Sequence, residues 1–292
     1  MKKTILNILI FILIIGISDY LLGLCFTYMR KNSGSGNIQS LEYCINKSKD
    51  DIFVFGSSRA VYHYVPKVIT DSLSMTCYNC GREGMGIIYL YGLWQLISSH
   101  HTPKIILYDY SRFDTQNDDP LTYLSDLRPF YDESLLSSYF KDLDFWESIK
   151  DKSYLYRYNS KIIQLIRGMI QKRIISDGFK PLQGELQNYI KGTYKSDVDS
   201  LKYHCMEEFI KQTKAKGTHL IFFISPYYDG YNHTYPSDLI TLFNKYGIKH
   251  FDNQDIRGFT FNKKYFKDRT HLNKKGATEY THKIISQIKE SI

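Results

Sequence analysis

The chain has 292 residues, of which 43% are hydrophobic and 23% charged. That balance suits one large globular domain or two small ones and excludes disordered, collagen-like and low-complexity architectures. The formal net charge is +8, but lysine and arginine are spread along the chain. Solvated surface is therefore the reading, and nucleic-acid binding, which needs a basic stripe interleaved with aromatics, is disfavoured. Tyrosine is frequent, with 26 residues, serving either a wet aromatic surface or a core with hydroxyl handles. The five cysteines are an odd number and imply no complete disulfide framework.

The chain opens with Met1-Lys2-Lys3, and Ile5 through Phe26 is almost wholly apolar, interrupted by Asn7, Ser18 and Asp19. A helix over those positions spans ~33 Å, enough for a bilayer core. No comparable run follows, so a multi-pass protein is not expected. Residues 1–30 are expected to be an uncleaved membrane anchor, with a cleaved signal segment, or lipidation at Cys25, as alternatives. Lys2 and Lys3 favour an inside amino terminus, although Arg30 and Lys31 flank the other end. The bulk of the chain is then expected outside the cytoplasmic membrane. Residues 31–50 read as a linker, opening on the flexible Lys31–Gly36 stretch.

Residues 51–292 read as one α/β domain. Strands are expected at Asp51–Gly56, Ser74–Tyr78, Lys104–Tyr110, His219–Ile224 and Ile248–Phe251. Helices are expected at Pro66–Leu73, Gly86–Ser99, Val198–Lys214, Pro236–Tyr246 and Leu272–Ile288. Gly217 closes the third of these. This alternation indicates a parallel sheet of about five strands wrapped on both faces, a three-layer α/β/α sandwich. Residues 113–195 are too long for a single connection. They read as a helical insertion or lid with a helix near Asn159–Ile174, where Arg128 and Tyr131, and more weakly Arg157 and Tyr158, are candidate contacts.

Ligands of such sheets bind beyond the carboxyl ends of the strands. The first strand runs into Gly56-Ser57-Ser58-Arg59. A serine there is placed for a nucleophile and its N–H for an anion, while a plain helix cap by Ser57 or Ser58 is the alternative. The second strand runs into Asn79-Cys80-Gly81-Arg82-Glu83-Gly84, a glycine-rich loop whose amides can approach an oxyanion. The third ends in Asp109-Tyr110-Ser111-Arg112. Before the last helix stand Asp268 and His271, spaced so that the carboxylate can hold the imidazole in the tautomer a base needs.

Taken in order, these blocks resemble the SGNH/GDSL hydrolase family over roughly residues 50–290. The resemblance implies a flavodoxin-like sheet and a Ser58–His271–Asp268 triad. It also implies an oxyanion hole from the Ser58 and Gly84 N–H groups. Two departures stand out. Ser57 replaces the family's usual Asp, and no Asn follows the third strand, where Ser111 or Arg112 is the available substitute. Losing one such donor costs about 3 kcal/mol in a transition state. The second departure resembles divergent, membrane-anchored members of bacterial envelopes, some of which transfer acyl groups to cell-surface polymers.

The expected activity is an extracytoplasmic serine esterase acting on an O-acyl ester, such as an ester-bearing lipid or acylated glycan. An O-acyltransferase for a surface glycan and a catalytically silent binding protein of the same fold are the alternatives. No metal or cofactor is implied. Arg59 is expected either to bind an anionic substrate or to pair with a carboxylate. Tyr227, in the Ser225–Asp229 stretch after the fourth strand, is expected to line the pocket. His63 reads as a partly exposed structural histidine, and Cys77 and Cys80 as buried thiols or an occasional disulfide.

Overall fold

A computed structural model describes residues 2–115, 124–131, 134–171, 176–188, 199–229 and 235–292. The amino-terminal apolar run is one unbroken helix, α1 (Lys2–Asn32), followed by α2 (Gly36–Asn46). Then come β1 (Ile52–Gly56), α3 (Ser58–His63), α4 (Pro66–Leu73), β2 (Cys77–Asn79), α5 (Ile87–Ser98) and β3 (Ile105–Asp109). Four short helices follow: α6 (Ser134–Leu143), α7 (Phe145–Lys150), α8 (Tyr154–Tyr158) and α9 (Ile162–Ile170). The chain finishes with α10 (Ser200–Ala215), β4 (His219–Ile224), α11 (Ser237–Tyr246), β5 (Lys249–Asp252) and α12 (Lys274–Lys289).

The chain divides into two units, one of residues 1–45 with 120–175 and the other of 46–119 with 176–292. The second unit holds a five-stranded, wholly parallel sheet in the order β2-β1-β3-β4-β5. Every residue of β1 and β3 is buried, as continuous apolar strands covered on both faces must be. Alternate residues serve opposite layers. Ile52, Val54, Leu107 and Phe223 pack towards α12 through Tyr280 and Ile284. Phe55 and Tyr108 face the other way and stack on Phe209 of α10, with Trp94 of α5 edge-on to the same ring. The result is the expected α/β/α sandwich. Gly56 of β1 pairs with Asp109 of β3, and Asp109 with Phe223 of β4. The carboxyl ends of three strands are therefore level at one rim.

In the first unit α1 is long and apolar enough to cross a membrane. The 31–50 stretch, expected as a linker, is instead largely helical. Ile38, Leu41 and Ile45 of α2 are buried at helical spacing, and Arg30 forms a buried ion pair with Glu42 at 2.7 Å. The small residues read as flexible serve close approach: the Gly34 N–H donates to the Gly168 carbonyl at 2.8 Å, and Ser33 lies against Gly168. Of the expected insertion at 113–195, residues 116–123, 132–133, 172–175 and 189–198 lie outside the described residues.

The β1 exit depends on glycine. Gly56 has φ +142°, and a Cβ there would lie 2.7 Å from the Asp109 carbonyl oxygen and 2.9 Å from the Ala60 Cβ. Gly56→Ala is expected to cost about 2–4 kcal/mol, the sum of backbone strain and the clash. The shift in denaturant midpoint measures it.

Candidate active site

The turn after Gly56 decides which serine is presented. Ser57 precedes α3 with extended backbone angles and makes no side-chain cap. Its hydroxyl is buried and unbonded among the described residues. Ser58 is the first residue of α3, so its N–H has no intrahelical acceptor. Its Oγ lies 2.8 Å from His271 Nε2. On the far side of the ring, His271 Nδ1 is 2.9 Å from Asp268 Oδ2 and 3.1 Å from Oδ1. Serine, histidine and aspartate, the last two more than two hundred residues from the first, thus form one hydrogen-bonded chain.

Asp268 also organises its own loop. Its Oδ1 accepts the Thr270 and His271 backbone N–H groups at 2.9 and 3.0 Å. Partial burial works to raise this carboxyl, but the hydrogen bond and charge of His271 outweigh it and hold the group down at about 2. The carboxylate is ionised throughout the working range, as a group orienting an imidazole must be. Since its folded pKa is depressed, the stability it contributes is present above the unfolded value of about 3.9 and lost as pH falls towards 2.

The sheet order, with its serine beyond β1 and its Asp-x-x-His before the last helix, now stands assembled. The architecture is the parallel α/β/α sandwich that the resemblance implied. No family model matches the sequence, and no curated protein matches it. Among solved structures, an acetyl xylan esterase aligns at 11% identity over 81% of this chain and 99% of its own, with a TM-score of 0.40. A candidate platelet activating factor from Streptococcus pneumonia aligns at 12% identity over 92% and 98%, with a TM-score of 0.42. A candidate acylhydrolase from Bacteroides fragilis aligns at 10% identity over 83% and 89%, with a TM-score of 0.37. Alignments this loose leave the chemistry to be read from the side chains.

The β2 loop is tied to the nucleophile turn. Asn79 donates to the Ala60 and Tyr64 carbonyls at 2.7 and 3.1 Å and accepts the Gly81 N–H at 3.0 Å. The Arg82 N–H donates to the Gly56 carbonyl at 2.9 Å. Gly84 is exposed at the tip of this loop with φ +73°. The β3 end is different. The Ser111 N–H and hydroxyl both go to Asp114 Oδ2, at 2.7 and 3.3 Å, and Tyr108 donates to Oδ1 at 2.5 Å. The Ser111 hydroxyl is therefore committed within its own turn, against its expected use as an oxyanion donor. The Arg112 side chain lies outside the described residues.

Arg59 and Tyr227 are both buried. Of the two roles expected for Arg59, the carboxylate pair is the one formed. The residue is 3% exposed, with Nη2 donating to Asp109 Oδ1 at 2.8 Å and to the Tyr110 carbonyl at 2.5 Å. Tyr227 is buried, its ring covered by the same guanidinium at 4.4 Å. A cation on the inner face of α3 leaves water and has to be paired. In the other unit, Arg128 pairs with Glu147 at 2.7 Å, the Tyr131 hydroxyl donates to the Ser148 carbonyl, and Arg157 and Tyr158 are buried. Those four candidate contacts are packing residues of their own unit.

Two residues beside the triad went unread as site residues. His63, expected partly exposed, is fully buried. Its Nε2 accepts the Leu272 N–H at 2.9 Å, so Nδ1 carries the proton and donates to Ser225 Oγ at 2.7 Å. Burial, then the nearby Arg59 charge and His271, push its pKa well below the usual value and keep it neutral. It thus clamps the backbone next to His271. Tyr62 packs edge-on to the His271 ring at 5.2 Å and donates to Glu83 at 2.7 Å. The available signal was positional, since Tyr62 and His63 are four and five residues beyond Ser58 on one short helix. Cys77 and Cys80 are buried and not joined in a disulfide, and burial pushes the Cys77 thiol up.

His63→Ala strands the buried Leu272 N–H and is expected to cost about 1–3 kcal/mol. Thermal unfolding checks this, and reaction of Ser58 with an active-site probe should slow in parallel. A second expectation concerns Asp114, which burial raises to about 6 despite its hydrogen bonds. The folded state then binds the proton more tightly than the unfolded state. Stability from this group falls as pH rises from about 4 to 6 and is flat above. Denaturation of Asp114→Asn across that window should lack this decline.

Proposed function

We propose that this protein is a serine esterase, held at a membrane by α1 with its catalytic unit outside the cytoplasm. The observation that carries the reading is the Ser58–His271–Asp268 relay at 2.8 and 2.9 Å. Neither fold nor stability requires a hydroxyl, a ring and a carboxylate in line at a sheet rim. That alignment favours an enzyme over a silent binding protein of the same fold.

The mechanism follows from the geometry. Ser58 Oγ attacks the ester carbonyl as its proton passes to His271 Nε2. Asp268 holds Nδ1–H and stabilises the imidazolium. The Ser58 N–H, and that of Gly84 after substrate seats the loop, receive the oxyanion. His271 then returns the proton to the leaving alkoxide, giving an acyl-Ser58 and a free alcohol. Water, deprotonated by the same imidazole, releases the acid. The Ser111 hydroxyl is committed to Asp114, so among the described residues the donors left to the hole are the Ser58 and Gly84 backbone N–H groups. Turnover of small esters is then expected to be slow relative to a three-donor hole. Transfer to a sugar hydroxyl in place of water would use the same residues.

The test is labelling by a fluorophosphonate together with release from a small activated ester. Wild-type protein should label and hydrolyse. Ser58→Ala should do neither, and His271→Ala should lose about 10³-fold or more in kcat. Folded wild-type protein that resists the probe and releases nothing would end the enzyme reading. Hydrolysis that survives in Ser58→Ala would move the nucleophile elsewhere.

A further inference from the structure

The acidic residue inside the apolar helix α1 has a partner. Asp19 accepts from Ser153 Oγ and from the Tyr154 and Leu155 backbone N–H groups, at 2.9, 2.9 and 2.8 Å. It therefore caps the start of α8. One turn on, Gly23 lets the Tyr154 ring lie directly on the α1 backbone, where a Cβ would come within 2.3 Å of the ring. Tyr20 meets that ring edge-on, and Phe26 packs on Tyr158 at 5.4 Å. The α8 helix thus runs alongside α1 from the level of Asp19 to that of Phe26. Asp19 lies seven residues, ~10 Å, below Phe26 along the helix axis.

These helices also expose large apolar side chains. Phe145, Trp146 and Ile149 of α7 and Leu155 of α8 are exposed, Trp146 at 65%. Ile163 and Ile170 of α9 continue the patch, Ile170 at 80%. Meanwhile Leu165 on the inner face of α9 is fully buried beside Phe26. A soluble surface rarely presents so many large apolar side chains together. The α8 part of this surface is joined to α1 through the Asp19 and Gly23 contacts. Lys152, between α7 and α8, and Arg167 of α9 are exposed as well, and long cationic side chains can reach a headgroup boundary.

We infer that α7–α9 form a second membrane-seated surface, immersed in the leaflet that holds the carboxyl-terminal half of α1, with Trp146 and Phe145 among the acyl chains near the headgroups. The occupant of the patch is lipid. If α1 spans a bilayer, whatever is capped by a residue ~10 Å inside its apolar run lies at that depth too. The polar α8 terminus is tolerated there because Asp19 and its three donors satisfy one another. The inference rests on α1 being a span and is independent of the esterase reading.

Trp146 is itself the probe, because the other tryptophan, Trp94, is fully buried in the sheet unit. Full-length protein is reconstituted in phosphatidylcholine vesicles whose acyl chains carry bromine near the headgroup. Vesicle flotation after carbonate treatment reports on α1, and emission reports on the patch. The expected result is flotation, loss of the Trp146 share of emission to brominated lipid, and no such loss in Trp146→Phe. Aqueous iodide should leave that share intact. A floating protein whose emission iodide quenches and bromine does not would overturn the inference while leaving the anchor. Emission insensitive to both, as under a second copy or another protein, overturns it as well. Failure to float removes the span and the inference together.

Discussion

The site rests on a buried arginine. Arg59 immediately follows Ser58, and its guanidinium reaches Asp109 at the end of β3, the Tyr110 carbonyl and, at 3.3 Å, the Ser225 carbonyl at the end of β4. The ends of β3 and β4 and the start of α3 are thereby fixed to one cation. A buried charge without its partner costs several kcal/mol, so the arrangement has no cheap alternative. The backbone that carries Ser58 is held by the residue beside it, and its hydroxyl by His271.

The tyrosines fit the same logic. Tyr64 donates to the second Asp109 oxygen at 2.7 Å and meets Tyr280 of α12 edge-on. Tyr108 donates to Asp114. Each ring fills core volume while its hydroxyl satisfies a carboxylate withdrawn from water. Of the two uses open for this residue type, core with hydroxyl handles is the one built around the sheet. His63 extends the network from Ser225 to the loop of His271, so that the triad is braced on the side facing the interior.

Strands and helices of the sandwich were legible because parallel strands must be apolar on both faces and their covering helices apolar on one. The strand expected at His219–Ile224 is found with those bounds, and the long helices end within two residues of expectation. The short α3 was not legible, since six residues carry too little periodicity. Helix α2 was obscured by the serine and glycine composition just before it. The triad was legible as ordered blocks, because Gly-Ser-Ser at one strand end and Asp-x-x-His before the last helix are local patterns. The destinations of Arg59, Tyr227 and the Ser111 hydroxyl were not, because each is decided by partners 3 to 170 residues away.

By itself, the sequence determined the local chemistry: an apolar helix of membrane length, five strands of a parallel sheet, and serine, histidine and aspartate at strand and helix boundaries. Hydrophobic periodicity and turn composition are short-range properties, and they survive without a fold. Only the tertiary structure decided which of two adjacent serines meets the imidazole, which charged side chains face inward, and why Asp19 is tolerated within α1. Those outcomes depend on desolvation and hydrogen-bond pairing between distant segments, which exist only after the chain has closed upon itself.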